Sequence, residues 1–463
     1  MSLRGDMLLE KFKSKGLAHL SYLIGSGSEA MVVDPRRDCD AYLERTRQEE
    51  MEIGYILETH RNEDYVIGSR ELSSLTGARI MHGGALDFGY GEVVEDGDEL
   101  PLGNLKVVAM STPGHTDESM SYLLVDPRND QPIALFSGDA LFVGDVGRTD
   151  LYGERKERRM ASALYHSLFD RILPLGDEVI LCPAHGAGSV CGKAISEREL
   201  STLGIERRTN PALQAESEEE FVSMKVGEMQ AVPPYFRRME EYNLEGPPML
   251  QEAPVPRPLP PEEFQGWMDR GAVVVDTRGP PGFSVHIGGS YSIWIEGIPS
   301  FAGCVLPHDT PLLLVLDDMD RLKRAWSYLV RLGYDNVVGY LKGGIDRWIE
   351  LAYPTERLGL LTAKELKKAL EETDMMVLDV RPREEFLEGH IEGAMNIYCG
   401  ELERRVSEVP KDRPVAVVCS VGYRGTMGAS ILSRAGCIEA NIVVGGTAAW
   451  ESEGYPVVRG NGP

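Results

Sequence analysis

The chain has 463 residues, enough for about three domains of ordinary size. Lys and Arg number 48 against 73 Asp and Glu, and the resulting formal charge of −25 is spread along the chain. It reads as solubility, and argues against unaided binding to nucleic acid or an anionic membrane. No segment holds the ~20 successive apolar residues that cross a bilayer, and the N-terminus lacks an apolar signal core. The seven cysteines, few and odd in number, fit a reducing cytoplasm better than a disulfide framework.

In chain order, Gly54-Tyr55-Ile56-Leu57 reads as a buried strand, so the run His60-Arg61-Asn62-Glu63-Asp64-Tyr65 falls in the loop at its end. Sites of α/β and α+β folds usually lie at such ends. Three further loops follow short apolar runs: Thr112-Pro113-Gly114-His115-Thr116, Phe136-Ser137-Gly138-Asp139-Ala140 and Cys182-Pro183-Ala184-His185-Gly186. A helix is expected over Ala161 to Leu173. His82, His166 and His308 stand alone and read as structural.

These four loops, in this order, resemble the metallo-β-lactamase superfamily, whose first run usually reads H-x-H-x-D-H. Here Asn62 and Tyr65 stand where the second and third histidines are expected. An amide and an unionised phenol are poor ligands for Zn²⁺, so each of the two usual metal sites loses a donor. His60, His115 and Asp139 remain, a 2-His-1-carboxylate set with open positions of the kind found in non-haem Fe(II) oxygenases. Similar persulfide dioxygenases use this subset for iron. The resemblance implies one Fe(II) per chain, with Zn an alternative in the purified protein. Asp64 and His185 are expected to hydrogen-bond to bound water or to a ligating histidine, or to serve only the loop structure. Gly147-Arg148-Thr149-Asp150 and Thr209-Asn210-Pro211 are also similar to persulfide dioxygenases. By that likeness Arg148 binds the anionic part of a carrier thiol; the alternative is a loop tether. Cys191, six residues after His185, is either a packed thiol or a sulfur relay beside the metal.

Residues 1–232 thus form the expected metal domain, an αββα sandwich. Residues 233–261 are rich in proline, including Pro247-Pro248 and Pro260-Pro261, and read as an extended, semi-rigid linker. Beyond them the chain repeats itself. Asp276-Thr-Arg278 recurs as Asp379-Val-Arg381, His286-Ile-Gly-Gly289 as His390-Ile-Glu-Gly393, and Gly343-Gly344 with Trp348 as Gly445-Gly446 with Trp450. Each copy, 262–356 and 357–463, alternates strand and helix patterns as in a small doubly wound α/β domain. The motif around Asp379 and Arg381 resembles the rhodanese family.

In the last copy the strand Pro414 to Val418 runs into Cys419-Ser-Val-Gly-Tyr-Arg424-Gly425 and then a helical pattern. Backbone N–H groups curling around Cys419 above a helix N-terminus form an anion-favouring nest in which a thiolate is the attacking species. Arg424 is placed to hold thiosulfate or sulfite. Aligning the copies through Pro311 and Pro414 sets Leu316 opposite Cys419, in the acidic loop Leu316-Asp317-Asp318-Met319-Asp320-Arg321. The first copy has no nucleophile and reads as a spacer or docking module.

The whole resembles a persulfide dioxygenase/rhodanese fusion: a thiol persulfide and O₂ react at one Fe(II), and Cys419 moves sulfane sulfur to or from sulfite or thiosulfate. The carrier thiol stays open among glutathione, coenzyme A, bacillithiol and cysteine, and similar enzymes self-associate. Two other readings remain: a sulfurtransferase whose metal domain is non-catalytic, and a zinc thioester hydrolase of the glyoxalase II type.

Overall fold

The structure is a computed structural model that describes residues 7–189, 191–192, 194–228, 232–250 and 254–460. It divides into two compact units, residues 1–252 with Val330–Gly333, and the remainder. No described helix is long and apolar enough to cross a membrane.

The first unit carries two six-stranded sheets. Met7–Ser14, His19–Ser26, Glu29–Val33, Glu52–Leu57, Arg79–Gly83 and Glu92–Val94 pair in chain order in one. Glu99–Leu102, Leu105–Ser111, Met120–Asp126, Gln131–Gly138, Ile180–Pro183 and Ser201–Thr202 do so in the other. Side chains alternate across a strand, so His19–Ser26 sends Leu20, Tyr22 and Ile24 inward to meet Val107, Tyr122, Leu124 and Phe136 of the second sheet. Leu23, on its other face, joins Tyr42 and Leu72 from the helices Asp40–Gln48 and Ser69–Thr76. The outer face of the second sheet packs Leu123 and Leu135 against Leu164, Leu203 and Phe221 from three further helices. The result is a four-layer αββα sandwich. Each such buried aliphatic or phenyl side chain contributes about 1.5–3 kcal/mol.

The second unit repeats one design twice. Arg257–Leu259, Val337–Leu341, Leu312–Val315, Val273–Asp276 and Tyr291–Ser292 form a parallel sheet in that spatial order. Gly359–Leu361, Glu439–Val443, Pro414–Val418, Met376–Asp379 and Met395–Asn396 form the second in the same order. The copies also share their fixings. Trp348 and Trp450 each donate an indole N–H to a carbonyl six residues on, and His286 and His390 each stack on a phenylalanine, Phe283 and Phe386.

One expectation is corrected. The stretch 233–261 is not extended throughout, because Phe236–Glu245 is a helix of the first unit with Phe236, Met239 and Asn243 buried. The prolines cluster on either side of a proline-free stretch, where they bound a helix without breaking it.

At the end of the strand Glu52–Leu57, burial pushes the Glu58 carboxyl up to about 8, against hydrogen bonds from Tyr90 Oη at 3.1 Å to each oxygen. Between pH ~4.5 and ~8 the folded chain therefore holds a proton that the unfolded chain has lost, so stability falls as pH rises through this window. Glu58→Gln should remove that slope. Thermal unfolding is expected to show the variant more stable than the parent at pH 8, with the difference shrinking toward pH 5.

Candidate metal centre and thiol loop

His60 follows the strand Glu52–Leu57, and its side chain is fixed by a relay. Asp34 accepts from Thr59 N–H at 2.8 Å and Thr59 Oγ1 at 2.7 Å, and Thr59 Oγ1 lies 2.9 Å from His60 Nδ1. Because the hydroxyl proton goes to Asp34, the hydroxyl oxygen must accept from His60 Nδ1, leaving the Nε2 lone pair bare. His115 is set the same way, with Nδ1 donating to the Arg148 carbonyl at 3.0 Å. Both Nε2 atoms are buried and lack a hydrogen-bond partner among the described residues. For His60 this is the tautomer that metal ligation requires, and His115 reaches it on losing its Nε2 proton.

Asp139, at the end of the strand Gln131–Gly138, closes the cluster. Its Oδ2 lies 3.5 Å from His115 Nε2 and 3.8 Å from His60 Nε2, while His185 Nδ1 stands 2.8 Å from Oδ1. His185 Nε2 lies 3.0 Å from Asp64 Oδ2, so carboxylates hold both ring nitrogens. Glu63, which sequence reasoning passed over, also turns inward: Oε1 is 3.0 Å from His115 Nε2 and 3.3 Å from Cys191 Sγ.

Charge follows this layout. Burial, helped by His115, pulls His60 down to about 4, so it is neutral near pH 7. Burial opposes charge on His115 too, but Glu63 and Asp139 outweigh it and raise the imidazole to about 9. Burial also works against ionised Glu63 and Asp139, yet the surrounding imidazoles hold both carboxyls low, Glu63 to about 2. The Cys191 thiol is driven up by burial and by Glu63, so it sits protonated, donating to that carboxylate.

Asn62 and Tyr65 take no such part. Asn62 Nδ2 donates to the His60 carbonyl, and Tyr65 stacks on His19 with centroids 4.0 Å apart. Asn243, on the helix within the supposed linker, clamps the loop: its Nδ2 donates to the Asn62 and Tyr65 carbonyls at 2.6 and 2.7 Å, and its Oδ1 accepts from Ile67 N–H. Arg148 is buried and doubly bonded to Asp150 at 2.6 and 2.8 Å, so its side chain tethers the loop whose carbonyl orients His115. A cavity of about 350 Å³ opens beside His185, its lining including Lys11, Lys13 and Arg198.

The thiol loop lies between Pro414–Val418 and the helix Tyr423–Arg434. Cys419 is buried, and Gly422 N–H donates to its Sγ at 3.0 Å. Arg424 is turned onto Glu385, another residue the sequence reading missed, with two bonds of 2.8 Å, and a third from Arg424 reaches Ser420 Oγ at 2.7 Å. Arg381 donates two buried hydrogen bonds to the Asp379 carboxylate, and also donates to the Gly389 carbonyl at 2.7 Å. Asp276 and Arg278 repeat this pair in the first copy, which makes it a fastening of the fold. Breaking such a buried pair costs about 3–5 kcal/mol. The first copy also flanks the thiol loop: Trp294 lies 5.2 Å, centroid to centroid, from Tyr423, and Ser430 Oγ accepts from Ser292 N–H. Leu316 occupies the Cys419 position, buried.

Comparison with known proteins follows these divisions. Residues 15–185 match the metallo-beta-lactamase superfamily, and residues 260–351 and 362–453 each match the rhodanese-like domain. The mitochondrial persulfide dioxygenase ETHE1 of Bos taurus is 31% identical over 229 residues, covering 47% of this chain and 80% of the relative. The cytoplasmic hydroxyacylglutathione hydrolase of Arabidopsis thaliana is 34% identical over 133 residues, 28% of this chain and 51% of that protein. The crystal structure of a metallo-beta-lactamase from Staphylococcus aureus subsp. aureus COL superposes with a TM-score of 0.65 at 30% identity, covering 73% of this chain and 99% of that one.

Two outcomes are expected. Since His115 is protonated at neutral pH and must bind as the free base, divalent metal uptake at pH 7 should release about one proton per ion. Calorimetry in buffers of different ionisation enthalpy measures it, and affinity should climb as pH approaches 9. Gly446 sits at φ +55°, and a Cβ there would lie 1.8 Å from the Cys419 carbonyl oxygen. Gly446→Ala should therefore displace the thiol loop and cut sulfur transfer by tenfold or more while leaving metal content unchanged; assays of thiocyanate formation and bound metal test both halves.

Proposed function

We infer the activity from one premise: the chain belongs to the metallo-β-lactamase superfamily, among the relatives of persulfide dioxygenase ETHE1, and carries two rhodanese-like domains behind that fold. The first unit oxidises a low-molecular-weight thiol persulfide with O₂ at a single Fe(II), and the Cys419 domain exchanges sulfane sulfur with sulfite or thiosulfate. One observation carries this reading. His60 and His115 turn buried Nε2 atoms toward Asp139, while Asn62 and Tyr65 are engaged elsewhere and supply no donor for a second ion.

His60, His115 and Asp139 would hold ferrous iron, which when bound would supply the redox chemistry between a persulfide sulfur and O₂. The protein supplies the rest. Thr59 and the Arg148 carbonyl fix the two imidazoles, His185 orients Asp139, and the Asn243 clamp keeps the loop 60–65 in place. Burial of the whole cluster limits water and strengthens every electrostatic contact within it. The cavity beside His185 is walled by Lys11, Lys13 and Arg198 together with Glu197 and Glu199, with both lysines paired to Glu199 and Arg198 to Glu206. In the second unit, Gly422 N–H donates to Cys419 Sγ at the N-terminus of the helix Tyr423–Arg434, and this sulfur accepts the outer sulfur of a donor and passes it on.

Oxygen uptake by the Fe(II)-loaded protein on adding glutathione persulfide or coenzyme A persulfide tests the proposal. Uptake is expected with one or both and lost in His115→Ala, whereas Cys419→Ser should abolish sulfur transfer and spare the uptake. No uptake despite bound iron would leave a sulfurtransferase with a non-catalytic metal domain, and two Zn²⁺ per chain with thioesterase activity would instead favour the hydrolase.

A further inference from the structure

The row of hydrogen bonds behind His60 does more than hold a ring still. A metal-ligating imidazole is neutral and carries one proton, which must sit on the nitrogen away from the ion. For His115 that position is fixed by the Arg148 carbonyl, which can only accept a hydrogen bond. For His60 the partner is the Thr59 hydroxyl at 2.9 Å, which can donate or accept. The direction is therefore set by the group behind Thr59.

That group is Asp34, 1% exposed and held in an unusual backbone conformation. Its φ of +46° lies in the left-handed region that residues other than glycine seldom adopt, and the following Pro35 restricts it further. Its N–H donates to the Leu57 carbonyl at 2.9 Å, and its carbonyl accepts from His19 Nε2 at 2.9 Å. Strain of this kind persists only where the surroundings fix it, and it gathers at functional sites. Here it aims the carboxylate at Thr59, with Oδ1 accepting from the N–H at 2.8 Å and Oδ2 from Oγ1 at 2.7 Å.

We infer that Asp34 is a positioning residue of the metal centre, whose negative charge selects the ring nitrogen of His60 that carries the proton. An ionised carboxylate only accepts. It takes the Thr59 hydroxyl proton, so Oγ1 accepts from His60 Nδ1, and Nε2 keeps its lone pair on the side of Asp139. An amide of the same shape reverses the row. Its oxygen must stay on the Thr59 N–H, which sets its NH₂ against Oγ1. The hydroxyl proton then turns to His60 Nδ1, and the ring proton moves to Nε2, where it blocks a metal. Size and shape hardly change; the direction of two hydrogen bonds does.

This role rests on the proposed function only in taking His60 as a ligand, and the first measurement needs no metal. In metal-free, full-length protein labelled with ¹⁵N-histidine, long-range ¹H–¹⁵N correlation spectra report which nitrogen of a neutral ring is protonated, with His60→Gln assigning the His60 signals. Nδ1–H is expected in the parent and Nε2–H in Asp34→Asn. Zn²⁺ alone, titrated against a competing chelator, is expected to bind Asp34→Asn about tenfold or more weakly than the parent. Asp34→Gly suits the φ of +46° and leaves the hydroxyl to turn either way, so it should retain more affinity than Asp34→Asn although it removes more atoms. A side chain that merely fills space or ties the loop gives the opposite order, and that order overturns the proposal, as does an unchanged tautomer in Asp34→Asn. If Asp34→Asn does not fold, Thr59 decides. Thr59→Ser keeps the hydroxyl and should bind Zn²⁺ within about threefold of the parent, while Thr59→Val should bind about tenfold more weakly; equal affinities refute the role. A parent that takes up no Zn²⁺ would remove the metal reading of the first unit, and the tautomer of His60 would still decide the role of Asp34.

Discussion

The cost of burying Asp139 organises the first unit. A carboxylate sealed from water is tolerated only where opposite charge and hydrogen bonds surround it, and Asp139 has three imidazoles within 3.8 Å. Each imidazole is in turn held from behind: His60 through Thr59 and Asp34, His115 by the Arg148 carbonyl, and His185 by Asp64. The groups that hold them come from separate strand ends and loops of the sandwich. Glu63 adds a second buried negative charge on the same side, and the imidazolium of His115 at 3.0 Å holds it ionised.

The second unit shows the opposite relation between fold and chemistry. Its two copies keep the buried Asp–Arg pair, the histidine stacked on phenylalanine, the tryptophan bonded to a carbonyl and the paired glycines. The first three lie apart from the thiol, and the paired glycines lie against the backbone of Cys419 in one copy and of Leu316 in the other, so all persist where Leu316 has replaced the thiol. Chemistry is confined to the few residues between strand and helix. The silent copy still bears on the active one, because Trp294 and Ser292 pack and bond against the helix that begins beneath Cys419.

Much of this was legible in the residues. His60, His115 and Asp139 each follow an apolar run, and their loops carried the resemblance that implied the four-layer sandwich, while the internal repeat and the motif around Asp379 and Arg381 carried the one that implied two α/β domains. The misses share a physical cause. Glu63 and Glu385 are single acidic residues in a chain with 73 of them, and only the fold distinguishes an inward carboxylate from a solvated one. The helix Phe236–Glu245 was hidden by the prolines on either side of it, which read as a linker although helices accept proline at their borders. Its Asn243 satisfies three backbone groups of the loop 62–67, a contact spanning some 180 residues that no local pattern records.

The pairing of Arg424 with Glu385 changes how the thiol loop must work. A guanidinium free in the loop would attract any anion, but here both of its terminal nitrogens are bonded, and Ser420 completes the ring by donating to Glu385 at 2.9 Å. The hydrogen bond from Arg424 in turn keeps the Glu385 carboxyl below its usual range, so the pair stays ionised and nearly neutral as a unit. The attraction offered to an approaching sulfur anion then comes from the Gly422 N–H and the helix N-terminus, which point at Cys419 and do not reach far into solvent. Such a loop discriminates by fit at short range and gives little advantage to an anion merely because it is charged.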